Sequence, residues 1–271
     1  MPFRTETAGL VWQKYTRRQS LFHWLLFMAL AVLTLASFRV ISEQTFWEFF
    51  LDAPNQLAMM LSRMFPPRWG YMQRLWRPLW DTLVIATLGT AGAVIFAVPL
   101  AFLAAGNTTP STRFVRPAAT LIMVTSRSIN ALIWALLLVT IIGPGVLAGV
   151  LAITFRSIGF IAKLLYEAIE EIDEVQVEAV TATGASRWHV LWFAIVSQIA
   201  PAFFSITIYR WDINIRESSV LGIVGAGGIG LYLNASIASL AWDQVSVILL
   251  TILISVVLAE IVTYRVRRAL I

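Results

Sequence analysis

The sequence predicts an all-α fold, a polytopic helical membrane protein with about six transmembrane helices. Of 271 residues, 59% are apolar and only 13% charged, where a soluble protein carries about half and about a quarter. Residues 82–112, 128–155, 188–209 and 218–242 hold no charge at all, and each run exceeds the roughly 18 residues that flag a bilayer-crossing helix. The basic residues are 18 arginines and two lysines. Placed beside the apolar runs, they account for the net charge of +5 and suggest no nucleic-acid partner.

Each element follows in order. Residues 1–20 form a polar tail whose Lys14, Arg17 and Arg18 hold the amino terminus in the cytoplasm. The run 21–42 is the first transmembrane helix; the competing reading, a signal peptide cut after Ala36, would need an unusually long apolar core. Residues 43–78 mix acids and arginines with Trp47, Phe49, Phe50, Phe65, Trp69 and Trp76, as in amphipathic helices lying in the interface, and Pro66 and Pro67 break them in two. Asp81 and Thr82 offer an N-cap for span two, which runs to Ala105 with Pro99 as a kink. Span three follows Arg113, Arg116 and Pro117 and stops at Gly143-Pro144-Gly145, span four is Val146 to Leu165, span five His189 to Trp211 and span six Val245 to Tyr264. Residues 79–265 thus form the core, and 266–271 a second tail. Six crossings place both termini and the stretch 166–188 in the cytoplasm, and leave the arginines at 63–77 outside, against the usual bias.

Much chemistry is excluded. With no cysteine there are no disulfides, thiolate metal sites or cysteine nucleophiles, and His23 and His189 alone build neither a metal site nor a triad. Gly225, Gly227 and Gly230 satisfy the dinucleotide pattern G-x-G-x-x-G, but the charge-free flanks offer no βαβ unit and no acid about 20 residues on. Glycines at this density suit close helix contact or irregular backbone covered by protein. A P-loop needs Gly-Lys followed by Ser or Thr, whereas Lys14 follows Gln13 and Lys163 follows Ala162. The chain carries no ATPase.

Six of the 15 acids lie between Glu167 and Glu178. A solvated loop is the plain reading. Ile169, Ile172, Val175 and Ala179 nonetheless recur at helical spacing, Gly184 can supply a tight turn and Trp188 opens the next apolar run. The pattern predicts an amphipathic helix-turn-helix presented to the cytoplasm as a docking surface.

Glu178-Ala179-Val180-x3-Gly184 resembles the EAA loop of bacterial ABC importer permeases, whose coupling helix sits in a groove of the ATPase subunit. Val180 replaces the second alanine, and Val196-Ser197 stand where Leu-Pro is usual. Asp81-Thr82-Leu83, Pro99 to Ala105, Arg127-Ser-Ile-x3-Ile-Trp-Ala135, Ile158-Gly159-Phe160, Glu167 to Asp173 and Val220 to Gly230 are similar to the permeases of phosphonate and phosphite importers. Asn130 departs from the proline common there. The resemblance implies a type I importer permease in the bacterial inner membrane. It would work as a homodimer with an ATP-binding cassette ATPase dimer, which holds ATP and Mg, and with a periplasmic or lipid-anchored solute-binding protein. No cofactor is implied in this chain. Glu178, Ala179, Gly184, Ala185 and Arg187 would couple to the ATPase; Gly225, Gly227, Gly228 and Gly230 would sit at the dimer axis or gate.

Methionine importer permeases share the Val-Gly-Ala-Gly-Gly stretch but have fewer spans. An intramembrane enzyme would need paired acids, and no motif joins Asp212, Glu217 and Glu260. A passive channel would leave the Glu178 to Gly184 element unexplained.

Four arginines fall at membrane depth: Arg127 in span three, Arg156 in span four, and Arg210 and Arg216 near the outer end of span five. A central arginine costs about 2.5 to 3.5 kcal/mol on insertion scales, so these imply partners or water. Arg210 and Arg216 can snorkel or pair with Asp212 and Glu217. No acid lies within ten positions of Arg127 or Arg156, and Ser126 and Ser128 flank the first as Thr154 and Ser157 flank the second. Guanidinium beside hydroxyl suits a phosphorus oxyanion, on a wet, weakly binding path.

Overall fold

The computed structural model describes residues 3–6, 9–12 and 17–270, and the chain divides into two compact units, residues 1–59 and 60–271. In the first, β1 (Phe3–Glu6) and β2 (Gly9–Trp12) pair antiparallel with Phe3 opposite Trp12, a hairpin inside the expected polar tail. Helix α1 (Arg17–Gln44) covers the expected first span. Phe22, Trp24, Leu33 and Phe38 on it are all exposed, a surface suited to lipid. Helix α2 (Trp47–Met64) is the expected amphipathic segment and ends just before Pro66-Pro67.

In the second unit, α3 (Met72–Ala104) starts nine residues before the expected N-cap at Asp81. The amphipathic pattern at 72–80 belongs to its first turns, where Leu75 and Pro78 face inward and Trp76 and Trp80 outward. Thr82 is therefore mid-helix. Gly89, Ala93, Ala97 and Ala101 then recur every fourth residue and are buried, a small-residue stripe that lets helices approach closely. Against it lies α6 (Val146–Glu170): a Cβ at Gly89 would stand 2.6 Å from Ile153.

The expected third span is broken. Helices α4 (Val115–Ser128) and α5 (Ala131–Ile142) meet at 88°. Ile129 is extended, and Asn130 caps α5 by accepting from Leu132 N at 3.1 Å; the residue that replaces the usual proline starts a new helix. Helix α4 crosses α6 at Gly159, where Ser126 Oγ donates to Phe155 O and accepts from Gly159 N at 2.9 Å.

The fifth span runs well past Trp211. After α7 (Glu174–Ala182), the short α8 (Arg187–His189), a π-helical stretch (Val190–Val196) and α9 (Ser197–Leu221) follow without interruption. No glycine or proline intervenes between Trp211 and Gly222, and the polar side chains at 210–217 bond to one another and to neighbouring helices. Helices α10 (Ile229–Ala238) and α11 (Trp242–Leu270) complete the unit. Among the described residues, five helices are long and apolar enough to cross a membrane, or six spans if the bent pair counts as one.

The glycine segment folds back inside this unit. Gly225, Gly227 and Gly228 have φ of 86°, 81° and 78°, conformations in which a side chain is disfavoured. Thr82 Oγ1 accepts from Ile229 N at 2.8 Å and donates to Pro78 O at 2.9 Å. Replacing Thr82 by valine leaves a buried N–H unpaired, which costs about 1 to 3 kcal/mol. Thermal unfolding in detergent should show a lowered midpoint for Thr82→Val and a near-normal one for Thr82→Ser.

Candidate functional site

The first candidate surface is α7. Asp173 Oδ1 caps it by accepting from Val175 N at 2.9 Å, and Gln198 on α9 fixes the cap by accepting from Asp173 N at 2.9 Å. Ile169 closes the end of α6 while Val175 and Ala179 lie on α7, so the apolar pattern read as one helix spans two, with a bend at 171–173. On α7, Val177 and Val180 turn inward, leaving Val175, Glu178 and Ala179 exposed. Gly184 follows with φ +79° and nothing within 4 Å of a Cβ built on it; Ala185 is half-buried and Arg187 exposed. Glu170 Oε1, just before, accepts from Gly106 N at 2.7 Å and Arg116 Nη2 at 2.8 Å. The loop after α3 and the end of α6 are thereby tied together next to the exposed helix.

The second candidate is a polar seam across α3, α6 and α9. Arg210 is 2% exposed; its Nε donates to Ser157 Oγ at 3.0 Å, its Nη2 to Glu217 Oε2 at 3.2 Å, and its guanidinium lies 4.9 Å from the Phe160 ring centre. Arg156 Nε donates to Glu217 Oε1 at 3.1 Å. Asn214 Nδ2 donates to Thr90 Oγ1 at 2.7 Å and to Ser157 Oγ at 3.1 Å. Burying a guanidinium is tolerable only with such pairing. Two arginines thus share one carboxylate.

Sequence reading singled out Arg156, Ser157 and Arg210, and the fold brings these three together. For Arg210 and Arg216 the sequence left open snorkelling or pairing with Asp212 and Glu217; Arg210 pairs with Glu217 and Arg216 with Asp212. Arg156, which has no acid near it in sequence, takes one from 61 positions on. Its Nη1 also lies 3.5 Å from Ile129 O, at the α4–α5 break. Arg127 stands two residues before that break, exposed, and its guanidinium has no partner among the described residues. The hydroxyls beside the arginines divide: Ser157 joins the seam, while Ser126 and Thr154 bond to backbone of α6 or α3, and Ser128 to its own helix. Asn214 and Thr90 were missed, and Glu217 was read as a partner of Arg210 or Arg216 without its second arginine, Arg156. The signal was Arg210-Trp-Asp212-Ile-Asn214-Ile-Arg216-Glu217, one polar stretch that a span ended at Trp211 cuts away.

The glycine contacts are internal. Gly145 N donates to Gly225 O at 3.0 Å, and a Cβ on Gly227 would stand 3.1 Å from Val146 N, one on Gly228 2.7 Å from Thr82, and one on Gly230 2.3 Å from Ser219 O. Ala226 is fully buried against the same chain. Close approach within the subunit accounts for the glycine density.

Comparison with known proteins defines the class. The family described as the binding-protein-dependent transport system inner membrane component matches residues 97–271, and the chain belongs to it. It is a multi-pass inner-membrane permease component. More particularly, it is 40% identical over 210 residues to the phosphite transport system permease protein PtxC of Stutzerimonas stutzeri, covering 78% of this chain and 76% of that one. It is also 40% identical over 220 residues to the phosphate-import permease protein PhnE of Mycolicibacterium smegmatis, covering 81% of this chain and 41% of that longer one. A solved structure of the MetNI methionine ABC transporter in an inward-facing conformation superposes with a TM-score of 0.65 at 21% identity, covering 74% of this chain and 98% of that one. That likeness establishes the fold of an ABC importer permease.

Proposed function

We propose that this chain is the membrane-spanning permease of an ATP-driven importer that moves a small phosphorus oxyanion, such as phosphite or a phosphonate, by alternating access. The observation that carries the reading is the 40% identity to a phosphite permease over most of both chains, and the arginine seam inside the spanning helices agrees with it. Two copies would enclose the path. Helix α7, capped, anchored and open on the face of Glu178 and Ala179, would dock in an ATPase dimer that holds ATP and Mg, and a solute-binding protein would deliver the anion from outside. Both termini would then lie in the cytoplasm, and Gly225 to Gly230 would brace the outer half of each subunit near the dimer axis or gate. Arg127, Arg156 and Arg210 would line the path, with Arg216 beside it.

The test is uptake into vesicles holding the permease with its co-purified ATPase and binding protein, using phosphite, methylphosphonate, phosphate and methionine in turn. Phosphorus oxyanion uptake that depends on ATP is expected, and uptake of methionine alone would overturn the proposal. Arg127 supplies the sharper variant, because nothing in the described fold leans on its guanidinium. Arg127→Gln should lower uptake at least about tenfold, the scale of one lost charge-assisted bond, while assembly with the ATPase stays normal. Unchanged uptake would remove Arg127 from the path.

A further inference from the structure

Among the described residues, Glu217 is the one acid bonded to two arginines. Its two oxygens are divided between two arginines of different helices, Oε1 taking Arg156 at 3.1 Å and Oε2 taking Arg210 at 3.2 Å. The three groups carry a net charge of +1, whereas Asp212 and Arg216 close on each other. The cluster is graded in depth. Arg210 is 2% exposed and donates to Ser157, which Asn214 links to Thr90, while the side chains of Arg156 and Glu217 are 26% and 22% exposed. The open edge therefore consists of the carboxylate and the outer guanidinium, beside the α4–α5 break that Arg156 touches through Ile129 O. A carboxylate held by two guanidiniums presents two charged oxygens to two sets of N–H donors, which is how a phosphorus oxyanion would be held in its place.

We propose that Glu217 is a built-in stand-in for the transported anion. It occupies the Arg156 and Arg210 donors while the path is empty and yields them to a tetrahedral phosphorus oxyanion, which enters at the exposed edge. The excess positive charge lets the anion approach before the carboxylate leaves. Once the anion moves on, Glu217 returns, so the arginines are never left bare in a low-dielectric setting. The exchange also keeps the site weak. An anion that must displace a tethered carboxylate gains only the difference between the two sets of bonds, as a conducting path requires. This inference rests on the importer reading above.

The experiment uses the assembled permease–ATPase complex in detergent, without binding protein, and radiolabelled inorganic phosphate as probe, with phosphite as competitor. Wild type should bind weakly. Glu217→Gln should bind phosphate at least tenfold tighter and, in vesicles with binding protein, turn over more slowly. Adding Arg156→Gln to Glu217→Gln should abolish the gain. Binding no tighter than wild type in an assembled Glu217→Gln complex overturns the exchange, as does a gain that survives Arg156→Gln. If Glu217→Gln does not assemble, Glu217→Asp, which draws the carboxylate back by one methylene, gives the same decision: binding tightened threefold or more supports the exchange, and unchanged binding overturns it. Wild-type vesicles that take up neither phosphite nor phosphate with ATP and binding protein would instead sink the importer reading, a separate result.

Discussion

Replacing Gly184 by tryptophan is expected to reduce ATP-driven uptake to background while the permease still folds and reaches the membrane. Gly184 has φ +79° and open space around it, so two effects of substitution come apart. Any side chain pays about 1 kcal/mol for the left-handed backbone, and Gly184→Ala pays this alone. A Cβ there meets nothing within 4 Å and the turn is exposed, so added bulk acts chiefly on a surface brought against the turn from outside. Uptake by Gly184→Ala should therefore fall modestly, and Gly184→Trp should lose both uptake and co-purification of the ATPase. Normal uptake by the tryptophan variant would show that the turn after α7 docks nothing. Equal losses in both variants would assign the effect to backbone strain.

The sequence was legible where pattern and physics act over short range. Charge-free runs located the spans, and Gly184 makes the turn expected after a docking helix, whereas the Asp173 cap that starts that helix was not read. It misled where partners are distant. The tryptophans and arginines of 72–80 look interfacial until α3 is seen to have its inward Leu75 and Pro78 already in place. Polar residues beyond Trp211 look like the end of a span, because nothing local says that Asn214 will meet Thr90, 124 positions away, or that Glu217 will meet Arg156. The same distance hid the purpose of the glycines. Density suggested close contact, and Thr82, Val146 and Ser219 are the partners that crowd these glycines from distant parts of the chain. A broken span at 129–130 was legible only in the polar stretch Thr125-Ser-Arg127-Ser-Ile-Asn130, whose last residue can cap a new helix.

The expected result for Gly159→Ala is a larger loss than its single added methyl suggests. A Cβ there would lie 2.3 Å from the carbonyl oxygen of Met123 and 3.0 Å from Cβ of Ser126. The first of these is backbone, which cannot rotate away. Helix α4 must retreat, breaking the bond from Gly159 N to Ser126 Oγ and that from Ser126 Oγ to Phe155 O. Overpacking of this kind costs about 1 to 3 kcal/mol, and each unpaired buried group adds about as much. Because the last turn of α4 leads into Ile129, whose carbonyl meets Arg156, the displacement reaches the arginine seam. Folded yield and unfolding temperature in detergent should both fall, and uptake per folded complex should fall as well. Gly70→Ala, with nothing within 4 Å, serves as the neutral comparison, and Ser126→Ala separates the lost bonds from the steric push. If Gly159→Ala matches Gly70→Ala in stability, α4 and α6 do not cross this closely, and the break they position beside Arg156 loses its support.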